Sequence, residues 1–124
     1  MDVYPIHTRP TRELLLRLPL LPTTPDHRID YERAAPDVVR ALADSLETVI
    51  ATFNLGLSAV GVILAHASAE VGSEIGSETI ESLGWFIAEA SDMTAALQSL
   101  AHSCRYYTTD YTPPQPKSVP MVRF

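Results

Sequence analysis

Residues 36–67 read PDVVRALADSLETVIATFNLGLSAVGVILAHA, and the spacing of their apolar side chains decides the fold. Val39, Leu42, Leu46, Val49, Phe53, Gly56, Val60, Ile63 and Ala67 recur at intervals of three and four, the repeat of a helix with one apolar face. A second stripe, Ile50, Leu57 and Leu64, runs beside the first at intervals of seven. Pro36 is a favoured first helical residue, and Asp37 suits the positive end of the helix dipole. Gly72 is the expected stop. The pattern predicts a helix over 36–71, about 35 residues long, or roughly 50 Å.

Past this helix, Val71-Gly72-Ser73-Glu74-Ile75-Gly76-Ser77-Glu78 holds a small Gly-Ser-Glu tandem that reads as a turn. It has no lysine, and its carboxylates would repel phosphate, so it is not a phosphate-binding loop. Ser77 is placed to cap a second helix, with Glu78 and Glu81 near its positive end. That helix, over 77–107, repeats the pattern with Ile80, Leu83, Ile87, Ala90, Thr94, Leu97, Ala101 and Cys104. Phe86, Met93, Leu100 and Tyr107 make its second stripe.

Two long helices and a short joint predict an all-α fold built on an antiparallel hairpin. One hairpin cannot bury two apolar stripes on each helix, because each helix has a single neighbour. The expectation is a second copy, giving a dimeric, four-helix-bundle-like assembly in which Val49, Phe53, Leu57, Val60 and Leu64 carry the self-association.

The ten prolines bound this core: none lies between Asp37 and Thr112. The chain therefore divides into an N-terminal arm over 1–35, a hairpin core over 36–108 and a proline-rich tail over 109–124. Pro10-Thr11-Arg12-Glu13, with Thr11 as cap, and Thr24-Pro25-Asp26 are each placed to start a helical turn. Pro19, Pro22 and Pro25 limit growth, so the arm is expected to be extended chain with short turns. Leu14-Leu15-Leu16 must nonetheless pack on something, and the arm is a competing cover for the hairpin. In the tail, Tyr111 and Phe124 offer apolar surface for docking.

The charge distribution is one-sided. Between Arg40 and Arg105 there is no lysine or arginine, yet Asp44, Glu47, Glu70, Glu74, Glu78, Glu81, Glu89 and Asp92 all lie there, against a net charge of −6 for the whole chain. Such a segment repels phosphate and attracts cationic surfaces, which argues against direct nucleic-acid binding and for a basic protein partner. Cys104 is alone, so no intrachain disulfide forms, and Leu14 to Leu21 is too interrupted by Arg17 and Pro19 for a signal peptide. A cytoplasmic setting is expected.

No reaction chemistry emerges. His66 and His102 fall at opposite ends of the hairpin, and His102 and Cys104, two apart, diverge around the helix, so no metal set converges. The serines lack a visible base or nucleophile elbow, and no cofactor motif is present. Residues 48–69 form an uncharged run of about 22 residues, long enough to cross a bilayer. Its flanks carry acids rather than lysine or arginine, and it contains Asn54 and His66. Gly56 and Gly61 each weaken a helix by about 1 kcal/mol, which suggests close backbone approach or relaxed selection in a buried helix.

One constellation stands out. Glu78, Glu81, Trp85, Glu89 and Asp92 are spaced three, four, four and three, so they form one outward stripe on the second helix. A tryptophan among carboxylates is either an interface anchor or a seat for the arm's leucines and Arg9, Arg12 and Arg17. The expected function is a non-enzymatic acidic interaction module, a regulator, inhibitor or assembly factor that binds a basic protein surface and so masks a nucleic-acid-binding groove. The alternative is a membrane-associated hairpin with 48–69 inserted.

Overall fold

The computed structural model of the chain describes residues 9–112, the side chains of 71–73 excepted, and every named element in that span is helical. The first eight residues and the tail beyond Thr112, with Phe124, lie outside the described residues. Four α-helices follow in order: α1 over Pro10–Arg17, α2 over Pro36–His66, α3 over Ser68–Ser73 and α4 over Ser77–Tyr107.

The arm is more ordered than its prolines imply. Pro10 sits in the first turn of α1 after Arg9, which takes the cap position expected for Thr11. Glu13 lies near the positive end of α1 and Arg17 near its negative end, each on the favourable side of the dipole. The helix then tightens into a 3-10 turn over Leu18–Leu20 that holds Pro19 near its start, and Leu21 leaves in extended conformation. Thr24-Pro25-Asp26 does not start a helix. It forms the tip of a loop closed by a bridge between Thr23 and Ile29, with Asp30 N–H donating to the Pro22 carbonyl at 2.8 Å. His27 turns the tip with φ 65°, a left-handed conformation that a histidine tolerates better than a β-branched residue would.

The first long helix starts at Pro36 as the pattern predicts but ends at His66 rather than 71. Ala67, at φ −102° and ψ 17°, breaks the chain out of the helix, and α3 carries it through Gly72. No glycine or proline forces the break. The last side chain of α2 fully buried in the structure is Val49, so its final turns are held only by half-buried side chains such as Leu64. Ser77 opens α4 as its first helical residue, and Gly76 takes the cap position.

All of the packing sits at one end. Leu42, Leu46, Val39 and Cys104 are the largest side chains that are fully buried, joined there by Leu14, Leu21 and Ala34 from the arm. The boundary at residue 35 thus divides the chain but not the core. Arg17 Nη1 donates to Ser45 Oγ at 2.8 Å and fastens α1 to α2. Arg105, near the end of α4, donates from Nη2 to Asp44 at 2.7 Å and from Nε to Glu47 at 2.8 Å in the first half of α2. Tyr31 of the arm stacks on Tyr107 with ring centroids 4.6 Å apart, and the Tyr111 hydroxyl donates to Asp37. Among the described residues, none from Ile50 to Glu89 is buried.

Truncating Leu46 to alanine removes a side chain with 0% exposure and should cost about 2–5 kcal/mol in urea denaturation. Cys104 provides a local readout. Its thiol is fully buried, and burial pushes its pKa up, so alkylation requires opening of this end. Labelling of Cys104 should be slow in the native protein and faster in Leu46→Ala. Equal labelling rates in the two proteins would contradict this placement of the core.

Candidate interaction surface

Helix α4 carries the acidic stripe as a ridge. Glu78, Glu81, Trp85, Glu89 and Asp92 are all exposed, and Trp85 is 64% exposed. The spacing that puts them on one face is that of any α-helix, and the opposite face of α4, with Ala90, Thr94 and Ala101, is the one that packs inward. The described part of the arm, 9–35, does not lie over the stripe. Leu14 belongs to the core at the other end, Arg17 is engaged with Ser45 and Glu13, and Arg9 and Arg12 are exposed.

Of the eight acids in the basic-free segment, Asp44 and Glu47 share an ion pair with Arg105. The hydrogen bonds from Arg105 hold the Glu47 carboxyl below its usual range, and the two carboxylates raise the guanidinium in turn. No ion pair among the described residues involves the other six. The negative field is therefore concentrated on α3, the joint and the first half of α4.

Beside the ridge runs a groove of about 440 Å³ between α2 and α4. Phe53, Leu57 and Val60 line it from α2, and Phe86, Ala90 and Met93 line it from α4. Its polar edges are Thr52 and Glu89, so Glu89 belongs to both the groove and the acidic ridge. Gly56 also lines the groove, and a Cβ built there would meet nothing within 4 Å; the same holds at Gly61 and Gly84. The monomer's own packing therefore gives no steric reason for these glycines.

The five residues expected to carry self-association separate into two groups. Val49 is 2% exposed and belongs to the monomer core, where a second copy does not reach it. Phe53, Leu57 and Val60 line the groove, and Leu64 lies half-buried further along α2. Phe86 and Met93 were visible as a stripe, yet their role as the facing wall depends on the register between helices, which periodicity does not supply. His66 and His102 are both exposed, and among the described residues no three His, Cys, Asp or Glu side chains group in a metal-holding arrangement. No family model, curated protein or solved structure matches the chain.

The Arg105 clamp predicts a pH signature. A folded-state carboxyl held low contributes stability above its unfolded value, near 4.5 for Glu47, and loses it as pH falls through the lower folded value. The pair is partly exposed, so its worth should stay below about 1 kcal/mol. Arg105→Gln should lower stability at neutral pH by that amount and flatten the stability curve below about pH 4.5, as measured by urea titrations at stepped pH. A mutant curve parallel to wild type across this window would rule the clamp out as a contributor.

Proposed function

We propose that this chain is a small acidic, non-enzymatic interaction module. In this reading α2 and α4 form an antiparallel hairpin, and two copies pair over their bare ends in a dimeric, four-helix-bundle-like assembly. The acidic ridge then faces outward toward a basic protein surface, as a regulator, inhibitor or assembly factor requires. Carboxylates placed where phosphates would lie give such a module a way to mask a nucleic-acid-binding groove without binding nucleic acid itself. It works without a cofactor in the cytoplasm, where the lone Cys104 stays reduced.

One observation carries the reading: the half of the molecule from Ile50 to Glu89 has no buried residue among those described, although it is rich in large apolar side chains. Leu55, Val62, Ile63, Ile75, Ile80, Trp85, Phe86 and Met93 are all exposed. At on the order of 100 Å² apiece they offer a surface comparable with the ~800 Å² that each partner buries in a stable interface. Monomers rarely leave that much apolar surface in water.

A second reading, a membrane-associated hairpin with 48–69 inserted, draws on one feature. Helix α2 is long and apolar enough to cross a membrane, and little of its apolar window is buried. Against it stand the unpaired acids of α4 alongside, which lipid would penalise.

Sedimentation of the full chain at several concentrations tests the assembly. A dimer is expected at micromolar concentration, and Leu57→Asp should dissociate it without loss of helicity, because the groove wall then carries an unpaired charge. A compact wild-type monomer at that concentration would sink the assembly, and detergent-dependent solubility would favour the membrane reading. The partner side is tested by pull-down with Trp85→Ala, or with Glu78 and Glu81 changed to Gln and Asp92 to Asn. Loss of one specific basic partner is expected, with dimer mass unchanged; full retention would move the binding face elsewhere.

A further inference from the structure

The chain itself displays the kind of helix that α2 accepts. α1 lies against α2 with Leu14 buried and Arg17 on Ser45. Its opposite face is formed by Arg12 with Leu15 and Leu16, three and four residues on, a spacing that places all three together on a helix. Leu15 and Leu16 are each 61% exposed, and Arg12 is exposed too. α1 is therefore a short basic helix with apolar surface on both sides, only one of which the described residues cover.

The groove has the complementary make-up. It is apolar along its walls, open at Gly56, and has Glu89 at its rim with Asp92 exposed on the next turn of α4. Along α2 it extends from Thr52 to Val60, about 12 Å, close to the length of the eight-residue α1. Ser45, Thr52 and Gly56 follow at seven and four residues, so the seat of α1 and the groove lie on one face of α2, with the groove two turns further along.

We propose that the groove is occupied by α1 of a second copy, with Leu15 and Leu16 against the apolar walls over Gly56 and Arg12 on Glu89. This rests on the self-association reading and specifies its geometry. Seat and groove share a face but are offset along it, so two copies stacked face to face and head to tail make both insertions at once. The result is a closed two-fold dimer with the two α1 helices sandwiched between the hairpins. Charge favours a second copy in this pose: each insertion brings a guanidinium to a carboxylate, whereas pairing the two α4 ridges would oppose like charges. The chain's own α1 does not fill its own groove, because Leu14 and Leu21 hold it in the core at the other end.

The test is charge reversal read by sedimentation equilibrium on the full chain. Arg12→Glu and Glu89→Arg should each weaken the homodimer at least about tenfold, since each sets like charges opposite in both insertions. An equimolar mixture of the two single variants should recover most of the lost affinity, and so should the chain carrying both changes. Gly56→Leu should also weaken the dimer by filling the groove, while its monomer keeps or gains thermal stability because the position is open. A dimer indifferent to the single reversals, or a mixture that fails to recover, overturns this geometry while leaving self-association through another face standing. A wild-type monomer at all concentrations removes the self-association reading, and this inference with it.

Discussion

Two helices lying side by side hide only the strip along which they touch, and every other feature of this molecule follows from how the rest is covered. At one end the cover comes from the same chain. Leu14, Leu21 and Ala34 close over Val39, Leu42 and Leu46 while Ala101 and Cys104 face them from α4. Polar contacts then fasten the layers, with Arg17 on Ser45 and Arg105 across Asp44 and Glu47. At the other end nothing from the described chain closes over the pair, and the apolar residues of both helices meet solvent.

This division of the molecule separates the residues that set stability from the exposed acidic ridge. The residues that set stability lie among Leu14, Leu42, Leu46 and Cys104, far along the helices from the ridge that carries Glu78, Glu81 and Trp85. Changes in the ridge are therefore free to alter association with little effect on the fold, since exposed positions away from a core seldom shift stability by more than about 0.5 kcal/mol. Arg105 also shapes the charge distribution. By engaging Asp44 and Glu47 it leaves the negative field to the bare end, where no ion pair among the described residues offsets it.

Much of this was legible in the sequence, and the parts that were not share a cause. Pro36, the three-four spacing through Leu42 and Leu46, and the pattern from Ile80 to Cys104 locate α2 and α4 because those signals are local. The outward stripe around Trp85 was legible for the same reason. α1 runs longer than the single turn that Pro10-Thr11-Arg12-Glu13 predicts, because Pro10 favours the start of a helix and leaves room for two turns before Pro19 intervenes. The break at Ala67 has no composition signal, since it reflects packing that ends further back along the helix. Val49 and Phe53 look alike in a periodic pattern, yet one is core and the other groove wall. That difference arises only from where the arm stops.

The core also ties together segments from far apart in the chain, and this bears on the order in which the protein is made. Leu42 and Leu46 leave the ribosome with only the arm available to shield them, because the facing side chains, Ala101 and Cys104, belong to the last turns of α4. Closure of this long loop cannot reward the chain until nearly all of α4 has been synthesised. Through that interval the apolar face of α2 is uncovered on the side that α4 will take, and α1, which is made before it, is the described helix available to pack against α2.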